Sequence, residues 1–388
     1  MEVIFKMAKA KHARDWIVLL VGLWLPVAAV GQARIEINNP SAFDRREEVV
    51  AVPWRDVVSA YPAIDTASLV ITDGSTRRQL PYQYELKGGR VILNLLVQVS
   101  IAAKTKAVLK LRRGRPETFK AKTFCRYVPE RKDDFAWEND KIGFRTYGKA
   151  LENTNENAYG LDVWVKRKGE LVIDRRYRRN DYHKDHGDGL DYYSVGFTLG
   201  AGGIAPYAED SVWYPANYRH WEILDNGPLR STFRLEYDTW KVQEKEVRLV
   251  LTMSIDAGSQ LHKVVGIYTY AGSDPLPVAV GIVKRKAPGT SLLDEQKGLM
   301  GYWEPADKEN GTTGIGCVLE RKEAEVLLKE GQWLSVFSVD SGKPFVYYRG
   351  AAWDKAGVIT TAGEWFRYLN QYHEKIKNPL QPVVLATR

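Results

Sequence analysis

The densest group of residues able to carry chemistry lies between positions 181 and 221, in the stretch DYHKDHGDGLDYYSVGFTLGAGGIAPYAEDSVWYPANYRHW. Imidazole changes its charge near neutral pH, so a histidine here can act as a general base with little adjustment of its pKa. A phenol, with a pKa of about 10, serves more easily as the acid than as the base. We therefore predict His183 or His220 as the base and Tyr182 or Tyr218 as the proton donor.

The same stretch contains a spacing that suits a metal ion. His183 and His186 form a His-x-x-His pair, and Asp188 follows two positions later. Together they could supply three ligands to a divalent metal such as Zn²⁺. No second segment with metal-ligand spacing accompanies them. Metal binding is therefore only one interpretation of these residues, and the predicted function requires no cofactor. A third interpretation makes both histidines ordinary loop residues that hydrogen-bond to neighbouring aspartates, and all three interpretations remain open.

A second polar group interrupts an apolar strand pattern in residues 137–148, which read WENDKIGFRTYG. Alternate residues of a strand share a face, so Arg145 and Tyr147 can point into one cleft. Arginine can hold a planar carboxylate through two parallel hydrogen bonds. We therefore predict that Arg145, with Asn139, holds a substrate carboxylate. The alternative is an edge-strand arginine that pairs with a Glu or Asp of the protein itself.

Aromatic residues give the third signal, since the chain has 12 tryptophans and 21 tyrosines. Sugar rings have apolar faces that stack on indole and phenol, whereas their hydroxyls need directional polar partners. We predict Trp213 as a stacking platform and Trp221 as a further sugar contact. Asp188 and Asp191 are predicted to orient the imidazoles or to bind sugar hydroxyls. Most of the other rings are expected in the core of a large β protein.

The elements that must position these residues are predominantly strands. Short apolar runs separated by Gly and Asp-Gly recur along the chain, and residues 231–237 alternate apolar and charged side chains. Helical periodicity is best in residues 362–376. This pattern predicts a mainly β protein, an antiparallel β-sandwich or supersandwich with few short helices. The charged segment 127–134 is interpreted as a linker between an N-terminal β-sandwich portion (34–126) and a larger β domain carrying the active-site cleft (127–388).

The first 33 residues have the layout of a secretory signal peptide, with basic residues, a short apolar stretch and small residues ending at Ala33. Cleavage there predicts a periplasmic or secreted protein without stable membrane insertion. Such a compartment permits one disulfide between Cys125 and Cys317, although two separate buried thiols fit equally well. The net charge of +8 is not concentrated in runs. It favours an acidic oligosaccharide over a nucleic acid as partner.

Four segments together resemble the exported bacterial family known as domain of unknown function 4861. They are the two stretches at 137–148 and 181–207, YRHWEILDNGPLRSTFRLEY at 218–237, and YYRGAAWD at 347–354. The resemblance implies a β-supersandwich of the galactose-mutarotase and polysaccharide-lyase type. It also implies action on uronate-containing oligosaccharides in polysaccharide breakdown, by an elimination such as dehydration. No catalytic residue is carried over from the family.

Elimination from a uronic acid removes the C5 proton and expels the group on C4. The substrate carboxylate must be neutralised, the proton removed and the leaving oxygen protonated, so several convergent groups are needed. The predicted activity is therefore a carbon–oxygen lyase that uses general acid–base catalysis. One alternative is a glycoside hydrolase or a sugar epimerase in the same cleft, and hydrolysis would need two carboxylates flanking the scissile bond. The other is a non-catalytic periplasmic glycan-binding protein.

Overall fold

The computed structural model describes residues 32–167, 169–320 and 324–387, and within them the chain is mainly β, as predicted. The strands are β1 (Gln32–Asn38), β2 (Arg45–Pro53), β3 (Leu69–Asp73), β4 (Tyr82–Glu85), β5 (Asn94–Ile101), β6 (Lys106–Arg113), β7 (Thr123–Val128), β8 (Asp134–Asn139), β9 (Gly143–Thr146), β10 (Asp162–Lys166), β11 (Gly189–Asp191), β12 (Ala201–Ala208), β13 (Ser211–Val212), β14 (His220–Asn226), β15 (Arg230–Val242), β16 (Lys245–Asp256), β17 (Leu261–Thr269), β18 (Leu276–Val283), β19 (Thr290–Asp294), β20 (Leu299–Trp303), β21 (Thr313–Leu319), β22 (Glu325–Lys329), β23 (Gln332–Val339), β24 (Pro344–Trp353) and β25 (Gln381–Thr387). The helices are α1 (Trp54–Ala60), α2 (Ile173–Arg179) and α3 (Ala362–Lys377).

A small sandwich is built from the N-terminal strands and the last strand of the chain. Its sheets have the orders β25–β1–β6–β3 and β2–β5–β4. Ile35, Leu69, Val97 and Leu111 are among the side chains buried between them. Because β25 pairs antiparallel with β1, both ends of the described chain lie in one sheet. The predicted signal peptide lies outside the described residues, except for Gln32 and Ala33 at the start of β1.

The larger sandwich places an eight-stranded sheet against two five-stranded sheets. The large sheet has the order β14–β15–β16–β17–β24–β21–β20–β19, and the smaller ones β11–β10–β9–β8–β7 and β13–β12–β18–β23–β22. Trp137, Phe233, Val264, Val280 and Tyr347 belong to one buried cluster that draws on all three sheets. Burial of apolar area at roughly 25 cal/mol per Å² makes this cluster the main stabilising contribution of the fold.

The segment predicted as a linker, residues 127–134, is instead a tight hairpin. Tyr127 and Val128 end β7, Asp134 begins β8, and Val128 is paired directly with Asp134. The charged residues between them turn the chain, with Lys132 and Asp133 at φ 50° and 62°. The predicted boundary between residues 126 and 127 therefore falls inside β7. The connection without regular structure is residues 114–122, which join β6 to β7.

Helix α3 confirms the helix predicted for residues 362–376. Its apolar face packs on the eight-stranded sheet. Thr361 caps the helix by accepting a hydrogen bond from the Glu364 amide at 3.2 Å. Trp365 and Leu369 are fully buried against the eight-stranded sheet. A side chain at Gly316 of β21 would come within 2.5 Å of Leu369, so a glycine is needed where the helix packs closest.

Two further expectations concern the cysteines and membrane insertion. Cys125 and Cys317 are free thiols, both buried, so the structure has the separate-thiol alternative rather than the disulfide. Burial raises the pKa of each thiol to about 12. Among the described residues, no helix has the length and apolar character to span a bilayer.

Candidate active site

The outer face of the sheet β11–β10–β9–β8–β7 carries a group of buried charges. Phe135 and Trp137 of β8 and Phe144 of β9 belong to the sandwich core. Alternation along each strand therefore directs Asp134 and Arg145 to the opposite face. On that face, α2 and the residues after it form a cover in which Tyr177 and Tyr182 pack on Trp164 of β10.

Four residues on this face form what we call the Arg145 cluster: Asp134, Arg145, Asp162 and Asp191. The Arg145 Nη2 atom lies 2.6 Å from Asp162 Oδ2 and 2.8 Å from Asp191 Oδ2. Its Nη1 atom lies 3.7 Å from Asp134 Oδ2. Each of the four residues is at least nine-tenths buried. Asp162 is the direct cross-strand partner of Arg145, so the strand register brings them together.

Burial and mutual repulsion perturb the carboxyl groups of the cluster. Burial raises the pKa of Asp134 to about 6, against the opposing attraction of Arg145. Burial, and then the Asp191 carboxylate, raise the pKa of Asp162 well above its ordinary value. Carboxyl groups perturbed by burial and a specific charge partner are frequent at active sites, although structural ion networks contain them as well.

His183 lies at the exposed edge of the Arg145 cluster. Its Nδ1 atom is 2.9 Å from the main-chain oxygen of Asp191, and a carbonyl can only accept, so Nδ1 carries the hydrogen. The neutral ring then has its free lone pair on Nε2. The side chain is 68% exposed, so this lone pair is open to a ligand. The loop holds its shape because Asp185 accepts hydrogen bonds from the amides of Gly187 and Gly189, at φ 93° and 95°.

Tyr182 and Arg131 lie beside His183. The Tyr182 and His183 rings are 4.6 Å apart, and the Tyr182 hydroxyl accepts a hydrogen bond from Arg131 Nε at 3.0 Å. Because the Tyr182 oxygen is the acceptor in this contact, the hydrogen of its hydroxyl remains available for donation. Arg131 Nη1 is buried without a hydrogen-bond partner among the described residues, while Nη2 bonds to Glu156. Sequence reasoning missed Arg131 because the segment around it was interpreted as a linker.

The predicted carboxylate clamp of Arg145 and Asn139 is not available to a ligand. Arg145 lies among carboxylates of the protein, as in the alternative interpretation, but on β9, the central strand of its sheet, and not on an edge strand. Asn139 is fully buried, and its amide nitrogen donates to the main-chain oxygens of Asp256 and Ser259 at 2.6 and 2.7 Å. Its side-chain oxygen accepts from the amides of Lys141 and Ile142. Asn139 therefore ties β8 to the turn after β16 and has no free hydrogen-bonding group.

The three predicted metal ligands, His183, His186 and Asp188, do not converge. In the described chain, no group of three or more His, Cys, Asp or Glu side chains is arranged to hold a metal ion. His186 Nε2 lies 3.1 Å from Asp181, whereas Asp188 pairs with Arg175 at 2.9 Å. The arginines of α2 take up the Asp188 carboxylate, an interaction that residue spacing in the loop did not reveal.

The contacts of the remaining predicted residues do not include His183. Tyr218 is buried and donates its hydroxyl proton to the main-chain oxygen of Asp133 at 2.6 Å. His220 is an exposed residue at the start of β14, and Trp221 beside it is 42% exposed and stacks on Tyr127 at 5.1 Å. Trp213 is half-buried and donates Nε1–H to the Ala208 oxygen. The structure thus joins Tyr182, His183, Arg145 and Asp191, but not these four.

A buried acidic group that sequence reasoning missed lies near the same end of the sandwich. Glu304 accepts a hydrogen bond from Arg285 Nε at 2.6 Å, and burial raises the pKa of Glu304 to about 7. The Arg285 guanidinium lies 4.6 Å from the ring centre of Tyr193. No motif marks Glu304, because its burial and its pairing with Arg285 arise only in the fold.

A second region, which we call the tyrosine cleft, has the volume that the Arg145 cluster lacks. It is a cavity of about 540 Å³ between the small sandwich, the outer face of the eight-stranded sheet and α3. A row of directly paired residues crosses its floor, namely Thr232, Ser254, Lys263 and Tyr348 on β15, β16, β17 and β24. Tyr348 donates to Glu320 at 2.9 Å, and Tyr368 and Tyr372 of α3 complete the lining. None of the predicted site residues lines it.

Comparison with known proteins agrees with the resemblance of the four segments. The profile of the family described as domain of unknown function (DUF4861) matches residues 37–381. "Uncharacterized protein P7" of Formosa agariphila is 32% identical over 276 residues, which cover 66% of this chain and 69% of that protein.

Solved structures give more distant likenesses. An α-mannosidase of Enterococcus faecalis V583 has 10% identity and a TM-score of 0.48, over 92% of this chain and 46% of that one. A glycosyl hydrolase family 38 protein of Enterococcus faecalis has 10% identity and a TM-score of 0.49, over 93% and 48%. The chain spans less than half the length of either. On the match over residues 37–381, the chain belongs to the DUF4861 family.

Proposed function

We propose that the protein is a carbohydrate-active enzyme that acts on uronate-containing oligosaccharides by elimination, with His183 as the general base. The observation that carries the proposal is the hydrogen bonding and exposure of the His183 ring. Its Nδ1–H is held by the Asp191 carbonyl, which leaves the lone pair on Nε2, and the side chain is 68% exposed. A base must be oriented and open to the substrate, and His183 meets both conditions.

The reaction can be written with each proton and electron pair assigned. His183 Nε2 takes the C5 proton, and the electrons of the C–H bond form the double bond between C4 and C5. The C4–O bond breaks, and its oxygen leaves with a proton from Tyr182. The products are an unsaturated uronate and water or an alcohol, and exchange with solvent then returns a proton from His183 to Tyr182.

Arg131 replaces Arg145 as the group that neutralises the substrate carboxylate. Charge accumulates on that carboxylate when C5 loses its proton, so a cation aimed at it accelerates the reaction by about 10²–10³. The Arg131 side chain is 22% exposed and donates from Nε to the Tyr182 hydroxyl, whereas Arg145 is 5% exposed and is enclosed by three carboxylates. The Arg145 cluster then acts as support, because Asp191 holds His183 and the Tyr182 ring lies against Arg145 at 5.6 Å.

Elimination fits this site better than hydrolysis. A hydrolase needs two accessible carboxyl groups roughly 5–9.5 Å apart across the scissile bond. The carboxyl group that lies 3.7 Å from His183 Nδ1 belongs to Asp191, and it is buried against Arg145. His183, in contrast, is an exposed base that requires no carboxylate partner in contact with the sugar.

The test is to mix the purified chain with a panel of uronate oligosaccharides and follow the ultraviolet absorbance of the unsaturated product. His183→Ala is expected to lower the rate by about 10²–10⁴, the contribution of a general base. His186→Ala is the matched control, since this histidine lies in the same loop but contacts Asp181. It should retain activity within about twofold.

Three outcomes would contradict the proposal. Sugar release without the unsaturated chromophore would indicate a hydrolase. Ligand binding without turnover by the unmodified chain would indicate a binding protein. Equal activity of the two histidine variants would remove His183 from the mechanism, even if the reaction itself proved to be elimination.

A further inference from the structure

Inside the large sandwich lies an arginine without an ionic partner. Arg349 of β24 is 4% exposed. Its Nε donates to His262 Nε2 at 3.1 Å, and its Nη1 donates to the main-chain oxygen of Gly202 at 3.0 Å and to the Tyr347 hydroxyl at 3.2 Å. Its Nη2 reaches only the sulfur of Met253, at 3.3 Å. All four partners are neutral acceptors, and sulfur is a weak one.

Groups near Arg349 that could carry a negative charge remain neutral. Burial raises the pKa of the Cys317 thiol to about 12, and burial likewise raises the pKa of the Tyr347 phenol. Burial, and then Arg349 itself, lower the pKa of His262 well below 6.5, so the imidazole is uncharged. Within the described residues, Arg349 makes no ion pair with a carboxylate. A buried charge without a counter-charge is strongly destabilising, so this arrangement needs a physical explanation.

A small cavity beside Arg349 supplies that explanation. It has a volume of about 20 Å³, and its lining includes Arg349, Trp137, Thr146 and Tyr237. Trp137 is completely buried, and its indole Nε1–H has no hydrogen-bond partner in the described chain. Two unsatisfied features, a cationic charge and a buried N–H donor, thus belong to residues that line the same space. A cavity needs only about 10–15 Å³ to hold one water, so this one admits a single small particle.

We propose that this cavity is a binding site for one small monovalent anion of the halide class, with chloride as the physiological ligand. The guanidinium of Arg349 supplies the counter-charge and the indole of Trp137 a hydrogen bond. An anion here neutralises the sandwich interior between β8, β16 and β24, so its effect is on the stability of the fold. The cavity is too small for a sugar or a uronate carboxylate with its ring, so the site is separate from the proposed chemistry at His183.

The first experiment measures thermal unfolding of the full chain in sodium chloride and in sodium gluconate at equal ionic strength. Gluconate matches the charge but cannot enter 20 Å³. Chloride is expected to raise the midpoint in a saturable way that gluconate does not reproduce. Trp137→Phe keeps the ring and removes the N–H, so it should weaken apparent chloride affinity about tenfold or more. Trp164→Phe is the matched control, because Trp164 is also buried with an unpartnered Nε1 but does not line the cavity.

Crystals of the unmodified chain grown with bromide provide a readout that does not depend on any variant folding. An anomalous peak beside Arg349 is expected. A water at that position, with no anomalous signal, would overturn the proposal. Equal midpoints in chloride and gluconate, or equal chloride dependence in the two tryptophan variants, would do the same.

Discussion

The Arg145 cluster and the tyrosine cleft divide between them two properties that an active site needs. The cluster concentrates one arginine and three carboxyl groups, all buried, with Arg145 Nη2 between Asp162 and Asp191. The cleft has about 540 Å³ of space, but its best-placed cation, Lys263, is exposed and makes no ion pair in the described chain. The buried charges next to the predicted residues and the open space of the cleft therefore lie in different parts of the molecule.

The difference teaches where chemistry can begin. Charges that pair with one another in a dry environment hold their neighbours in place, but they are not available to bind a substrate. His183 is the point where the cluster reaches solvent, so it combines orientation by buried groups with exposure. The tyrosine cleft has the opposite character, since aromatic walls and hydroxyl groups suit sugar binding more than proton transfer.

The largest expected effect concerns the stability that each region contributes. Arg145→Met leaves buried carboxyl groups without their counter-charge, so we expect a loss of about 3–5 kcal/mol in the free energy of unfolding. Lys263→Met removes an exposed, unpaired charge and should stay within about 0.5 kcal/mol. Urea denaturation of both variants measures the contrast. Equal losses would show that the Arg145 cluster is no more interdependent than a surface residue.

A smaller effect concerns the pH dependence of stability. The pKa of Asp134 is about 6 in the folded chain and ordinarily 3.8, so the folded state binds more protons between these values. Stability contributed by the protonated form is therefore present below about pH 4 and is lost as the pH rises to about 6. Asp134→Asn should make the fall in the free energy of unfolding between these pH values about 3 kcal/mol smaller. Unfolding measured from pH 4 to pH 7 tests it, with exposed Asp340→Asn as a control that should not change the slope.

The smallest expected effect tests the tyrosine cleft as a place where part of the substrate binds. Lys263→Met should leave both the KM for an acidic oligosaccharide and kcat within about twofold. The cleft lies on the outer face of the eight-stranded sheet, whereas His183 lies over the outer face of the sheet packed against it. Steady-state kinetics beside His183→Ala provide the comparison. A large fall in kcat for Lys263→Met, with little change for His183→Ala, would move the catalytic site to the cleft.

Much of the architecture was accessible from residue patterns. The period-two alternation in residues 231–237 lies in β15, and the apolar spacing at Trp365 and Leu369 lies in α3. The adjacency of Tyr182 and His183 also identified part of the candidate site. Patterns failed where residues distant in sequence meet, and Arg131 was hidden in a segment whose charge and proline suggested a linker instead of a hairpin.

The candidate site could be predicted only in part because hydrogen-bond partners depend on strand register. Nothing near Arg145 in the sequence shows that Asp162 lies directly opposite it, or that Asp191 comes from a third strand. The same holds for Asn139, whose side-chain nitrogen donates to residues more than a hundred positions away. Residue type predicted a carboxylate for Arg145, and the register decided that it belongs to the protein.

The sequence by itself determined the mainly β architecture, helix α3 and the family, because alternation, helical spacing and characteristic segments are local properties of the chain. Tertiary structure alone decided which polar groups remain free. Burial and pairing are set by strands that approach from distant parts of the sequence, and they leave His183 open, enclose Arg145, and place Arg349 without a counter-charge beside a small cavity.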